Sequence, residues 1–365
     1  MPPPVDPTAP RAFKGRGAAS NPEGRFESVR HQAEDDGWQS ALLDTDAPRP
    51  RTEVTEERAR SVISRNDSPD VGFSQAINPY RGCEHGCIYC YARPSHGYLN
   101  LSPGLDFETK LRAKGNLADV LRAELAKPGY VASPINIGSN TDPYQPVEKR
   151  WRLTRAALEL LAECHHPCTI VTKNALVERD LDLLVAMARE QLVQVFVSVN
   201  SLDNQLAAKL EPRASAPHRR LQAIRTLAEA GVPVGVMVAP IIPALNDRDL
   251  EAVLERAAAA GARDAGYTVL RLPYELKSLF REWLALHAPQ RAEHVMSLVQ
   301  QMNGGRDYDS DFATRMHGQG VFADLLRRRF ELARRTHGYG RVRELALDSS
   351  RFVPPRPASP QGELF

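Results

Sequence analysis

Cys83, Cys87 and Cys90 stand close together in the run Arg81-Gly82-Cys83-Glu84-His85-Gly86-Cys87-Ile88-Tyr89-Cys90-Tyr91, a C-x3-C-x2-C spacing. Soft thiolate ligands select zinc, copper(I) or iron–sulfur clusters. A structural zinc takes four protein ligands, whereas a catalytic centre keeps a position open. Three clustered thiolates are one short of a closed four-coordinate site, so the run reads as an iron–sulfur site with one iron left free for chemistry. The competing reading is a zinc knuckle completed by His85 or His96, although zinc spacing usually pairs two Cys/His halves. Gly82 and Gly86 suit the cluster, because glycines let the backbone wrap it and aim N–H groups at its sulfides.

These residues need a frame that holds them still. Short β-rich runs alternate with amphipathic runs from about residue 70 onward. A first run leads into Asn78-Pro79 just before the cysteines. Strands are expected at 135–138, 169–172, 193–199, 232–239 and 267–272. Apolar spacings of three and four predict helices at 117–125, 153–161, 181–187, 219–230 and 250–260. Repeated β-then-α units mean a parallel sheet. Periodicity alone leaves a doubly wound sheet and a partial (β/α) barrel both open. Helices at 276–286, 292–302 and 321–335 follow.

In either architecture the site lies at the carboxyl ends of the strands, and the unusual residues fall there. Cys83 follows the first strand, Ser139-Asn140-Thr141-Asp142-Pro143-Tyr144 the second and Lys173-Asn174 the third. Asn200-Ser201 follows the fourth, Pro240 the fifth, and Arg271 ends the sixth.

The cysteine spacing, with an aromatic residue before the last cysteine, resembles the radical S-adenosylmethionine (radical SAM) superfamily. Asn78-Pro79-Tyr80-Arg81-Gly82-Cys83 through Cys90-Tyr91-Ala92-Arg93, with Gly138 through Glu148, is similar to its spore photoproduct lyase-like branch, often labelled DNA repair photolyases. Val171-Thr172-Lys173 before Arg179-Asp180, and Leu210-Glu211-Pro212-Arg213 before Arg219-Arg220-Leu221, fit that branch too. The resemblance implies an α/β fold: a partial (β/α)6, TIM-like barrel over residues 71–275. It would carry a mostly disordered N-terminal extension (1–70), a helical C-terminal region (276–353) and a disordered tail (354–365). It implies a 4Fe–4S cluster on Cys83, Cys87 and Cys90, whose open iron chelates S-adenosylmethionine. Reductive cleavage then gives methionine and a 5′-deoxyadenosyl radical that abstracts hydrogen from a substrate, nucleic acid being among the candidates. Tyr89 is expected near the adenine. Ser139, Asn140, Thr141 and Asp142 are expected at the methionine amino group, with Asp142 as a carboxylate partner for the ammonium. Ser198 and Asn200 suit the ribose, and Arg213 the methionine carboxylate. An electron donor such as flavodoxin or ferredoxin is implied. The photoproduct lyases proper return a hydrogen atom from a cysteine; here the spare Cys164 and Cys168 fall at the opposite end of the barrel.

Composition adds bounds. The chain has 365 residues, 42% hydrophobic and 25% charged, as in ordinary globular proteins. A net charge of +2 makes no case for bulk attraction to nucleic acid or membrane. Five cysteines, three of them clustered, argue against a disulfide framework and for a cytoplasmic location. No apolar run approaches a membrane span. The pair of cysteines in Cys164-His165-His166-Pro167-Cys168 reads as a helix end and a buried strand start rather than a second metal site. Arg327-Arg328-Arg329 with Arg334, Arg335, Arg341 and Arg343 reads either as a solvated helix face or as a nucleic-acid surface. The second reading supports an alternative, a non-catalytic iron–sulfur or zinc module that docks nucleic acid through this basic helix. The polar stretch 306–312 is either a lid or a linker.

Overall fold

The computed structural model describes residues 12–26, 50–340 and 346–356. The strands are β1 (Glu53–Glu57), β2 (Ile63–Arg65), β3 (Gln75–Ile77), β4 (Tyr80–Arg81), β5 (Lys110–Lys114), β6 (Ile135–Ile137), β7 (Cys168–Thr172), β8 (Val193–Ser198), β9 (Val234–Ile241) and β10 (Asp264–Val269). β3, β6, β7, β8, β9 and β10 run parallel, each hydrogen-bonded to the one before it. A doubly wound sheet would reverse its strand order part-way; this order never reverses, which leaves the open partial barrel. β2 pairs antiparallel with β3 at one edge, so the barrel does not close.

The covering helices are α1 (Leu105–Thr109), α2 (Leu117–Leu125), α3 (Glu148–Trp151), α4 (Leu153–Glu163), α5 (Leu181–Arg189), α6 (Asn204–Leu210), α7 (Pro217–Glu229), α8 (Leu250–Ala259), α9 (Leu276–His287), α10 (Ala292–Met302) and α11 (Val321–Thr336). Ile77, Ile137, Ile170, Val195 and Val236 are fully buried between sheet and helices, as expected for strands covered on both faces. The last two strands lie slightly off their expected positions. β9 extends to Ile241 and contains Pro240, while β10 begins at Asp264 because it pairs with Gly235 of β9. Arg271 therefore lies beyond its strand.

The expected disorder over 1–70 does not hold for the described part of that segment. β1 and β2 join sheets, β1 pairing with β5 beside the short β4. Residues 12–26 dock under the cysteine loop. Their anchors are the Gly17 and Ala18 N–H groups, which donate to the buried Glu108 carboxylate, and the Arg16 guanidinium, which donates to the backbone carbonyls of Glu108 and Pro50; such anchors leave no apolar periodicity to read. Residues 1–11 and 27–49 lie outside the described residues, as do Arg341, Arg343 and residues 357–365.

The helical C-terminal region splits its duties. α11 packs Ala323, Leu326 and Phe330 into the main core, while α9 packs Leu279, Phe280 and Trp283 against Cys87, Ile88 and Tyr89. The basic run of α11 is matched in part: Arg329 meets Glu251 with two hydrogen bonds of 2.7 Å and Arg327 meets Asp324 at 2.9 Å. The 306–312 stretch is tied down by Asp307, which accepts from Arg281 and Gln300.

At the amino end of the barrel, His166 is fully buried against Tyr130 and Phe352. Burial lowers its pKa from 6.5 to about 4. The neutral ring is the folded form, so its contribution is complete above pH 6.5 and is lost as pH falls toward 4. A shift of this size is worth up to about 3 kcal/mol. Urea midpoints measured from pH 7 to pH 4 should fall less steeply in His166→Gln than in the parent.

Candidate active site

The cysteine loop leaves β3 and is fixed along its length by backbone hydrogen bonds. Cys83 N–H donates to Phe107 O at 3.0 Å, and Ile88 N–H to Leu210 O at 3.1 Å. The three cysteines line a cavity of about 120 Å³ together with His85, Tyr91, Ser139, Asn140, Thr141, Asp142, Lys173 and Ser198. These residues come from the carboxyl ends of β3, β6, β7 and β8, the end where strand geometry places a site.

A polar strap holds the loop from below. Glu108 is fully buried and accepts from Gly17 N–H at 3.0 Å, Ala18 N–H at 2.8 Å and the Arg93 guanidinium. Arg93 also donates to Cys87 O at 2.8 Å. A Cβ on Gly17 would stand 1.9 Å from Gly86 O, so only glycine lets the strap lie against the cysteine loop. Gly86 itself has φ +67°, and a Cβ there would meet Glu108 at 2.6 Å.

Several expected site residues are spent on holding loops. Asp142 lines the cavity, but its oxygens accept from Tyr144 N–H (2.9 Å), Thr172 Oγ1 (2.7 Å) and Lys173 N–H (2.7 Å), with His85 Nδ1 at 3.3 Å. Burial would raise its pKa; His85 and the other donors outweigh this and hold it at about 2. It is not an open partner for an ammonium. Thr141 Oγ1 donates to Gly82 O at 2.8 Å, and Asn140 Nδ2 to Ser95 Oγ at 3.0 Å. Ser139 Oγ accepts from Asn78 at 3.0 Å and still has its own hydrogen to give.

Arg213 is the clearest departure. Its guanidinium pairs with Glu84 at 2.7 Å, outside the cavity lining. Tyr89 is buried behind the loop and its hydroxyl donates to Glu211. Ser198 reaches the cavity; Asn200 sits behind it, 3.4 Å from the Tyr89 hydroxyl, with Oδ1 buried and unpartnered.

Two groups carry more than their sequence signal suggested. Lys173 projects into the cavity, and among the described residues its ammonium has no hydrogen bond or ion pair; its nearest named neighbour is the Tyr89 ring at 6.0 Å. Arg220 and Glu211 are both buried and paired; Arg220 also donates to Ser198 O at 3.0 Å and Ser215 O at 2.6 Å. The signal for Glu211 was its place beside the half-buried Arg213 in the same short run.

The model of the radical SAM superfamily matches residues 77–257. An uncharacterized protein of Mycobacterium tuberculosis (strain ATCC 25618 / H37Rv) is 38% identical over 230 residues, 62% of this chain and 68% of that protein. The chain belongs to the radical SAM superfamily. A radical SAM Nalpha-GlyT isomerase of Pseudomonas phage M6 is 27% identical over 197 residues, covering 52% of this chain and 38% of that protein. A mutant of spore photoproduct lyase has the same fold, with a TM-score of 0.52 at 19% identity over 78% of this chain and 80% of that one. Among the described residues no helix is long and apolar enough to cross a membrane.

Radical SAM enzymes use a 4Fe–4S cluster and S-adenosylmethionine, and the residues present fit both. Three thiols face one cavity, and no group of three or more His, Cys, Asp or Glu side chains among the described residues converges on a single-ion position. A cluster spreads its ligands over several irons and matches such separated thiols better than one zinc does. Of the zinc-knuckle histidines, His85 meets Asn174 and His96 meets Lys110 O through Nε2, while the Nδ1 of each is buried without a hydrogen-bond partner. Burial, then Glu211, pushes the Cys87 thiol up; burial, then Cys83, does the same at Cys90. Coordinated iron removes that obstacle, since a metal-bound thiol is deprotonated outright.

Proposed function

We propose that Cys83, Cys87 and Cys90 hold three irons of the cluster and that Lys173 takes the carboxylate of S-adenosylmethionine. The observation that carries this is a free ammonium facing the same cavity as three thiols. Ser139, with the backbone around Asn140, takes the methionine amino group. Ser198, its carbonyl held by Arg220, faces the ribose, with Asn200 behind it. Thr141 and Asp142 brace the loop, and Tyr89 forms the wall behind it toward the adenine. When bound, the cluster and S-adenosylmethionine supply a 5′-deoxyadenosyl radical for hydrogen abstraction. The chain's own part is to hold the cofactors and exclude water.

We infer a substrate with a nucleobase and a phosphate. The support is at the cavity mouth, where Tyr91 is 48% exposed and the Arg271 guanidinium lies 5.1 Å from its ring. Arg271 Nε is buried with no hydrogen-bond partner. An aromatic face beside a guanidinium suits base stacking and phosphate binding. The electron donor is a flavodoxin or ferredoxin.

Anaerobic reconstitution with iron, sulfide, dithionite and S-adenosylmethionine tests the core of this reading. Methionine and 5′-deoxyadenosine should form in equal amounts; their absence from a protein that holds a reducible cluster overturns it. Lys173→Ala should retain its iron yet bind S-adenosylmethionine about 10- to 100-fold more weakly, the cost of a lost charged hydrogen bond. Calorimetric titration of the oxidised holoenzyme measures this, and Arg213→Ala should be little changed.

A further inference from the structure

The cysteine cavity is not the only concave feature among the described residues. A groove of about 420 Å³ lies outside it, between α6, the segment after β9 and the carboxyl end of α9. Its floor is apolar, built from Leu206, Leu245 and Trp283, and its rim carries Lys209, Arg248 and Arg291 against the single carboxylate Asp203. Among the described residues the Lys209 ammonium has no hydrogen bond or ion pair. Arg248 reaches Asp203 and Asp249 only at 3.5 and 3.8 Å, and Arg291 donates one hydrogen bond of 3.4 Å to Ala244 O. Burial, then Lys209, lowers the pKa of His287.

The groove floor backs directly onto the cysteine loop. Leu206, Leu245 and Trp283 belong to the same apolar cluster as Cys87, Ile88 and Tyr89. Trp283 Nε1 donates to Lys209 O at 3.1 Å, and Leu210 O accepts from Ile88 N–H at 3.1 Å. Two hydrogen bonds and one stretch of backbone thus join the groove to Cys87. Other approaches are obstructed: the cavity mouth is where S-adenosylmethionine and substrate must sit, and the Gly17–Ala18 strap covers the loop from below.

We propose that this groove is the docking surface for an acidic one-electron carrier protein that reduces the cluster. The inference rests on the three cysteines being the cluster ligands. One electron leaves the carrier's reduced flavin, which becomes a semiquinone, and enters the cluster, whose net charge falls by one; no bond in this chain forms or breaks. Electron-transfer encounters bury little area and are steered by charge. A cationic rim around an apolar floor, joined to a cluster ligand, matches that requirement.

The probe is an acidic flavodoxin added to the reconstituted holoenzyme, with binding measured by calorimetry at low and moderate salt. The triple variant Lys209→Glu, Arg248→Glu, Arg291→Glu should weaken binding at least about 10-fold and flatten its salt dependence. Cluster reduction by reduced flavodoxin should slow in parallel, while reduction by dithionite stays unchanged. The exposed pair Lys149→Glu, Arg150→Glu on α3 controls for bulk charge and should change binding far less. If the triple variant does not fold, Lys209→Gln decides, with binding expected about 2- to 4-fold weaker from one lost surface charge. Unchanged flavodoxin binding, an equal loss in the α3 control, or a nucleoside phosphate that fills the groove while flavodoxin binding is unaltered would each overturn the proposal. A parent protein in which dithionite reduces no cluster would instead overturn the cysteine-ligand assignment.

Discussion

Cys87→Ala protein, reconstituted anaerobically, is expected to lose the cluster's absorbance and to form 5′-deoxyadenosine at least about 100-fold more slowly, since even removing an outer partner of a metal ligand costs 10–100-fold. Cys87 is buried at the centre of the loop between two other thiols. Cys164→Ala is the informative contrast. Cys164 is buried where α4 ends, and Cys168 starts β7, so both lie at the amino end of the barrel, away from the cavity. Iron content, measured by chemical assay, should remain at the parent level in Cys164→Ala and fall in Cys87→Ala. Equal loss in both would mean that cluster assembly responds to stability rather than to ligation.

The second large effect belongs to Arg220. Its guanidinium is buried, paired with the equally buried Glu211, and donates to Ser198 O at the end of β8. Glu211 in turn accepts from Tyr89. Arg220→Met leaves an uncompensated carboxylate in the interior, a change that costs about 3–5 kcal/mol. The carboxyl, already pushed up by burial and held back by Arg220, would take up a proton. Urea denaturation should show the lower midpoint. The double variant Arg220→Met, Glu211→Leu should recover part of the loss, because a well-packed apolar pair can replace a buried ion pair at little cost. S-Adenosylmethionine affinity should also fall in Arg220→Met, since Ser198 loses its anchor. A midpoint unchanged in the single variant would refute the role given to this pair.

Much of the frame was legible from the chain. Helices at 117–125 and 292–302 occur at the expected bounds, and the six parallel strands follow the expected sequence. Regular periodicity survives into structure because each of these elements buries one stripe or both faces in a shared core. What escaped is polar. The strap at Arg16–Ala18, the sheet of β1, β5 and β4, and the docking of the 306–312 stretch through Asp307 depend on hydrogen bonds to partners far away in sequence. The same limit governs the site. Arg213 and Asp142 have the right chemistry for a zwitterionic ligand, yet Glu84 claims the first, while Thr172 and the backbone of Lys173 claim the second.

The C-x3-C-x2-C spacing by itself pointed to the iron–sulfur chemistry proposed here, since three soft ligands in one short loop need no distant partner to form a metal-binding group. The alternation of strands and helices likewise determined which end of the sheet would hold the site. Only the tertiary structure decided which charges there are free. A charge is spent or available according to its neighbours in space, and those neighbours come from other loops: Lys173 stays open at the cavity, whereas Arg213, Arg220 and Asp142 are closed into pairs.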